Sequence, residues 1–170
     1  MSYVRSRSLA TWRVLALALV AACSSPSSPK STPGLMPAVG SASTQLAAAR
    51  HRWQAARPTH YRYILSRSCE CLSESTRPVV VVVNRSSGTD VVESVNYVDT
   101  GAPAGQYASA YVSVDALFDV IADAIARHAA TVRVAYDAAY GYPRSIFIDY
   151  DVQMADDERG YTASGLAPVS

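Results

Sequence analysis

The sequence predicts an α+β domain in which two helices pack on one face of an antiparallel sheet, in the order α-β-β-β-α-β-β-β. Two segments, around Leu46–Trp53 and Val114–Ile125, carry apolar residues at three- and four-residue spacing. Six further runs are alternating, aromatic or β-branched, as strands are. Short turn-rich links within each set of three require neighbouring strands to run antiparallel.

The chain has 170 residues, 49% apolar and 17% charged, with a mean hydropathy of +0.06. These values exclude both a disordered polymer and a polytopic membrane protein. Fifteen Lys and Arg against fourteen Asp and Glu leave a net charge of +1, so no general attraction to nucleic acid exists.

Residues 1–22 read as an export signal. Arg5, Arg7 and Arg13 precede the apolar stretch Val14 to Ala22, which ends at Cys23 before an abrupt change to Ser and Pro. Nine apolar residues at 1.5 Å each cover less than half of a hydrocarbon core of roughly 30 Å, so this is no permanent span. Val20, Ala21, Ala22 and Cys23 resemble the lipobox of bacterial lipoproteins. That resemblance implies a diacylglycerol thioether on Cys23, cleavage before it and acylation of the new amino group, with a bacterial membrane as the partner of the acyl chains. An ordinary signal peptide with an incidental Cys23 is the alternative. Removing 22 residues leaves 148 and takes three of the fifteen basic groups, leaving twelve against fourteen acids. Residues 23–40 then form a Ser- and Pro-rich tether without enough apolar surface to fold, and the single α+β domain is expected at 41–170.

Ser43 to Arg57 reads as the first helix, with Ser41 or Ser43 as N-cap, Leu46, Ala49 and Trp53 on one face and Pro58 closing it. Tyr61 to Ser68 places Tyr61, Tyr63 and Leu65 on one face of a strand. Pro78 to Asn84 is a continuous β-branched run, typical of a strand covered on both faces. Arg85 to Asp90 is turn chemistry, and Val91 to Val98 pairs back through it, completing a meander. Ser113 caps the second helix, whose apolar positions are Val114, Leu117, Phe118, Ile121 and Ile125. Asp115 near its start and Arg127 with His128 near its end complement the helix dipole. Thr131 to Tyr136, Arg144 to Tyr150 and Tyr161 to Leu166 supply three more strands. The order suggests two weakly similar α-β-β-β halves.

Cys69 and Cys71 form an even pair once Cys23 is lipidated, and outside the cytoplasm a pair suggests a disulfide. In an extended strand their α-carbons would lie about 6.6–6.8 Å apart, so the backbone must bend to close the ring. The loop is tiny, its stabilisation is at the low end, and such a bridge is open to redox lability. The plain alternative is a structural turn staple. A thiol metal site lacks further ligands, because His51, His60 and His128 are scattered.

From Tyr136 to Glu158 an aromatic turn, Tyr140-Gly141-Tyr142-Pro143, leads through a strand into Asp149, Asp151, Asp156, Asp157 and Glu158. The lipobox, the CxC pair, SVDALFDVI, YDxxYGYP and IDYDxxxADDE, in this order, resemble a family of bacterial lipoproteins of unknown function. The likeness spans about Trp53 to Leu166 and implies a fold and a compartment without an activity. Physically, Asp149 and Asp151 share the spacing that opens a calcium loop, but Gln153 and Met154 stand where an EF-hand needs an oxygen ligand and glycine. The expectation is a solvated acidic turn with weak calcium affinity at most. Eleven tyrosines against two phenylalanines predict many half-exposed rings. Tyr107, Tyr111, Tyr140, Tyr142 and Tyr161 offer a rim for protein or glycan, or else pack at strand edges.

No nucleophile elbow, zinc-protease, P-loop or dinucleotide motif occurs, so no residue is assigned as catalytic, cofactor-binding or metal-ligating. The expected function is a non-enzymatic, lipid-anchored envelope module that binds an envelope protein or polymer. Its candidate surface comprises Tyr140, Tyr142, Asp149, Asp151, Asp156, Asp157 and Glu158. An acidic-site calcium or small-ligand binder, and a small envelope hydrolase, are the alternatives.

Overall fold

A computed structural model describes residues 39–86, 88–154 and 156–170. The export signal, Cys23 and the tether up to residue 38 lie outside the described residues.

The helices are α1 (Val39–Ala56) and α2 (Val114–Ala126), and the strands are β1 (His60–Ser68), β2 (Val79–Asn84), β3 (Val91–Tyr97), β4 (Thr131–Tyr136), β5 (Pro143–Asp149) and β6 (Arg159–Pro168). Short 3-10 turns at Ser73–Ser75 and Gly105–Ala110 complete the described elements. The strands form one antiparallel sheet in the order β3-β2-β1-β6-β5-β4. The two halves share an order of elements but not a place in the sheet: β1 is central, whereas β4 lies at an edge.

The helix-facing side follows from strand alternation. Tyr61, Tyr63 and Leu65 stand opposite Val83, Val81 and Val79 in register, and all six are buried. Leu117, Phe118 and Ile121 of α2 and Ala49 and Trp53 of α1 close over this side of the core. Trp53 meets the Tyr61 ring edge-on at 5.4 Å between centroids, the geometry that aromatic quadrupoles favour.

The caps of α2 are explicit. Ser113 Oγ accepts from Ala116 N at 3.3 Å. At the other end His128 takes φ +57°, while Ala129 N donates to Ala124 O and His128 N to Ile125 O. That pattern is a Schellman cap with histidine in the usual glycine position.

Two expectations are corrected. The first helix begins at Val39 rather than Ser43, so Ser41 and Ser43 lie inside the helix rather than capping it. Once nucleated, the Ala-rich segment gains a hydrogen bond for each residue added. Strand β2 is buried on one face only: Val79, Val81 and Val83 are enclosed, but Val80 and Val82 are half-exposed. Among the described residues no helix covers the other face, and cross-strand neighbours such as Ile64, Asn96, Arg62 and Ser94 shade these valines.

Candidate functional site

The β1–β6 pairing brings the two sequence motifs together. These strands pair out to Arg67–Tyr161 and Ser68–Gly160, so the CxC segment leaving β1 lies beside the acidic segment entering β6. Between them is a cleft of about 310 Å³, lined by Arg67, Cys69, Glu70, Cys71, Asp156, Glu158, Arg159 and Tyr161 among others. A Cβ on Gly160 would sit 3.1 Å from Ser68 Cβ, so glycine permits the close approach at its base.

Cys69 and Cys71 are joined by a disulfide with α-carbons 5.3 Å apart. Cys71 N donates to Cys69 O at 2.8 Å, which is the bend the short ring requires. Cys71 is exposed and Cys69 partly exposed. Following the ring, Leu72 is 70% exposed, and the Ser73–Ser75 turn is fixed by hydrogen bonds from Ser75 Oγ to Leu72 O and from Thr76 Oγ1 to Ser73 O. Arg67 reaches Ser75 O at 3.4 Å.

The acidic segment does not behave as one unit. Asp156 and Glu158 are exposed in the cleft, whereas Asp157 is half-buried. Exposed Asp151 accepts from Gln153 N at 2.9 Å in an Asx turn. Asp149, expected in water, is half-buried, and its Oδ1 is enclosed without a hydrogen-bond partner among the described residues. It sits on β5 opposite buried Thr131, which removes it from solvent. No group of three His, Cys, Asp or Glu side chains among the described residues is arranged to hold a metal ion.

Tyr140 and Tyr142 leave the candidate surface. They belong to the β4–β5 turn, separated from Asp149 by the length of β5, about 20 Å at strand rise. Tyr142 is buried and Tyr140 half-buried. Gly141 explains why: at φ +81°, its Cβ position would lie 2.6 Å from Ala49 O and 2.8 Å from Arg52 Cβ. The turn is clamped onto α1.

The other rim tyrosines divide similarly. Tyr111 is buried and donates to Arg77 O at 2.7 Å, whereas Tyr107 and Tyr161 are half-buried. Tyr61, Tyr63 and Tyr97 are also buried, donating to Asp90, Val112 O and Glu74 O respectively. Local acceptors therefore let phenols enter the core.

Arg67 and Arg159 are cleft residues that the sequence did not single out, whereas Tyr161 was already among the rim tyrosines. Each stands at the end of β1 or the start of β6, and only a non-local pairing brings those ends together. Arg159 and Arg127 also lie over the Tyr150 ring, at 5.9 and 4.4 Å from its centroid.

A carboxylate network ties α1, α2 and the β2–β3 turn together elsewhere. Asp115 accepts from Trp53 Nε1 at 2.8 Å and from Arg57 Nη1 at 2.6 Å, and also pairs with Arg85. Arg85 reaches Asp90 as well, at 3.2 Å. With its oxygens already engaged by three donors, Asp115 is built as a structural acceptor.

A model of a family of unknown function, DUF6174, matches residues 45–168. No curated protein and no solved structure matches the chain.

Proposed function

The chain belongs to that family of unknown function, and we propose that it is an exported, lipid-anchored binding module of the cell envelope. Acyl chains on Cys23 hold it to a bacterial membrane, and the cleft between Cys69–Cys71 and Asp156–Tyr161 meets an envelope protein or polymer without turnover. One observation carries this reading: the CxC and acidic motifs, far apart in sequence, meet in a single polar cleft containing guanidinium, carboxylate and phenol groups. That mixture suits a ligand with several polar contact points better than a single ion. The disulfide supports export, because such bridges persist outside reducing compartments.

Crosslinking in intact cells tests the proposal by comparing the full chain with an Arg67→Glu/Arg159→Glu variant at equal membrane abundance. A discrete adduct that the variant loses is expected. An unchanged adduct would move the binding surface elsewhere.

Asp149 supports a second reading. A carboxylate oxygen enclosed without a donor is costly, and a bound cation or small polar ligand would relieve that cost.

A further inference from the structure

We infer that the Cys69–Cys71 bridge is an exchange-competent disulfide that accepts two electrons from a dithiol polypeptide. The inference rests on the exported location proposed above, but not on the cleft's non-covalent partner.

The fold has little need of the bridge. A loop closed two residues apart constrains the unfolded chain far less than a long one. The β1–β6 ladder is complete at Ser68–Gly160, before the ring begins. On its other side, Arg77 pairs with Glu74 at 2.6 Å and with Asp99 at 2.7 Å and lies over the Tyr97 ring. The strand and the following turn are thus held independently. Opening the ring also frees the backbone from the 5.3 Å Cα separation the bridge imposes.

Access favours exchange. Cys71 is exposed at the cleft, and the exposed Leu72 beside it offers an apolar contact to an incoming chain. Arg67 and Arg159 favour thiolates here, whereas Glu70, Asp156 and Glu158 oppose them. Ring size and access, rather than thiolate stabilisation, make the bridge reactive.

In the first step a partner thiolate attacks Cys71 Sγ, the Sγ–Sγ bond breaks, and Cys69 leaves as a thiolate that takes up a proton. A mixed disulfide now joins Cys71 to the partner. The partner's second thiolate attacks its own sulfur in that bond and releases Cys71 as a thiolate, which is then protonated. The partner is oxidised to a disulfide and the Cys69/Cys71 pair is reduced, with two electrons and two protons transferred. Each chain oxidises one equivalent; a disulfide donor restores it by the reverse reaction.

The test equilibrates the full chain with an equimolar reduced CxxC oxidoreductase and reads the alkylated peptide containing Cys69 and Cys71. More than half of the pair should be reduced, and the melting midpoint should fall by no more than about 5 °C. A pair that remains oxidised in about ten-fold excess of dithiol, or whose reduction unfolds the domain, would overturn the inference. Single variants locate the entry sulfur with glutathione disulfide as probe. Cys71 in Cys69→Ser should form the mixed disulfide about ten-fold faster than Cys69 in Cys71→Ser. Equal rates would overturn entry at Cys71, and failure of either variant to fold would identify the bridge as structural. Exchange without a non-covalent partner would leave this inference standing while the cleft proposal failed.

Discussion

The indole N–H of Trp53 donates to Asp115 Oδ1 at 2.8 Å, joining the fully buried anchor of α1 to the first turn of α2 across 62 positions of sequence. The same carboxylate holds Arg57 and Arg85, so its removal takes the acceptor from Trp53 and Arg57 and leaves Arg85 with Asp90 alone. Asp115→Ala should cost about 2–3 kcal/mol in denaturant unfolding. Asp119→Ala removes only an exposed pair with Arg50 and should cost less than about 0.5 kcal/mol. Similar losses would deny Asp115 its organising role.

Gly141 and Gly88 have similar positive φ values, +81° and +84°, but different surroundings. An added Cβ meets nothing within 4 Å at Gly88 and would collide with α1 at Gly141. Gly88→Ala should therefore cost about 1 kcal/mol from backbone strain alone. Gly141→Ala should cost about 3 kcal/mol or more, since it also pushes the tyrosine turn off the helix. Thermal melts of the two variants provide the comparison.

Burial raises the Tyr61, Tyr63, Tyr111 and Tyr142 phenols and pushes Tyr136 up to about 12 from its ordinary 10.0. The folded chain therefore holds these protons more tightly than the unfolded one. This contribution to stability is fully present below pH 10, declines as pH rises, and for Tyr136 is gone above about 12. Denaturant unfolding from neutral to alkaline pH should show that decline. Tyr136→Phe should make it shallower by one proton between pH 10 and 12; an unchanged slope would place Tyr136 in water.

Calcium should bind weakly at most. Asp151 already accepts a backbone N–H at 2.9 Å, and the acidic side chains do not converge as a metal-ligand group among the described residues. Calorimetry on the full chain should show no micromolar affinity. Micromolar binding lost in Asp149→Asn would instead establish the cation reading of the enclosed carboxylate.

Local chemistry made most of the fold legible. The 3.6-residue spacing of Val114, Leu117, Phe118 and Ile121, the Ser113 cap and the Tyr61-Tyr63-Leu65 alternation depend on neighbours along the chain. So does the CxC pair, whose spacing already required a bend. The cleft was not legible because it depends on β1 pairing with β6, and nothing in Arg67 or Arg159 signals a partner almost a hundred residues away. The Tyr140-Gly141-Tyr142 turn misled for a related reason: a half-polar aromatic reads as a binding group until the helix that covers it is located. Asp149 likewise reads as solvated until its place on β5 opposite Thr131 is known.

Cys23 carries the proposed anchor. Wild-type protein should fractionate with membrane and yield an acylated N-terminal peptide beginning at Cys23, whereas Cys23→Ala should lose the acyl group and the membrane association it provides. An unmodified mature N-terminus would contradict lipidation.

The cleft between the CxC and acidic segments is the proposed working surface. Photo-crosslinkable residues placed singly at Glu70 and Glu158 in intact cells, with Arg133 and Arg144 on other strands as controls, test it most directly. One discrete adduct is expected from both cleft positions and none from the controls. Adducts of equal yield from all four positions, or from the controls alone, would contradict the proposal.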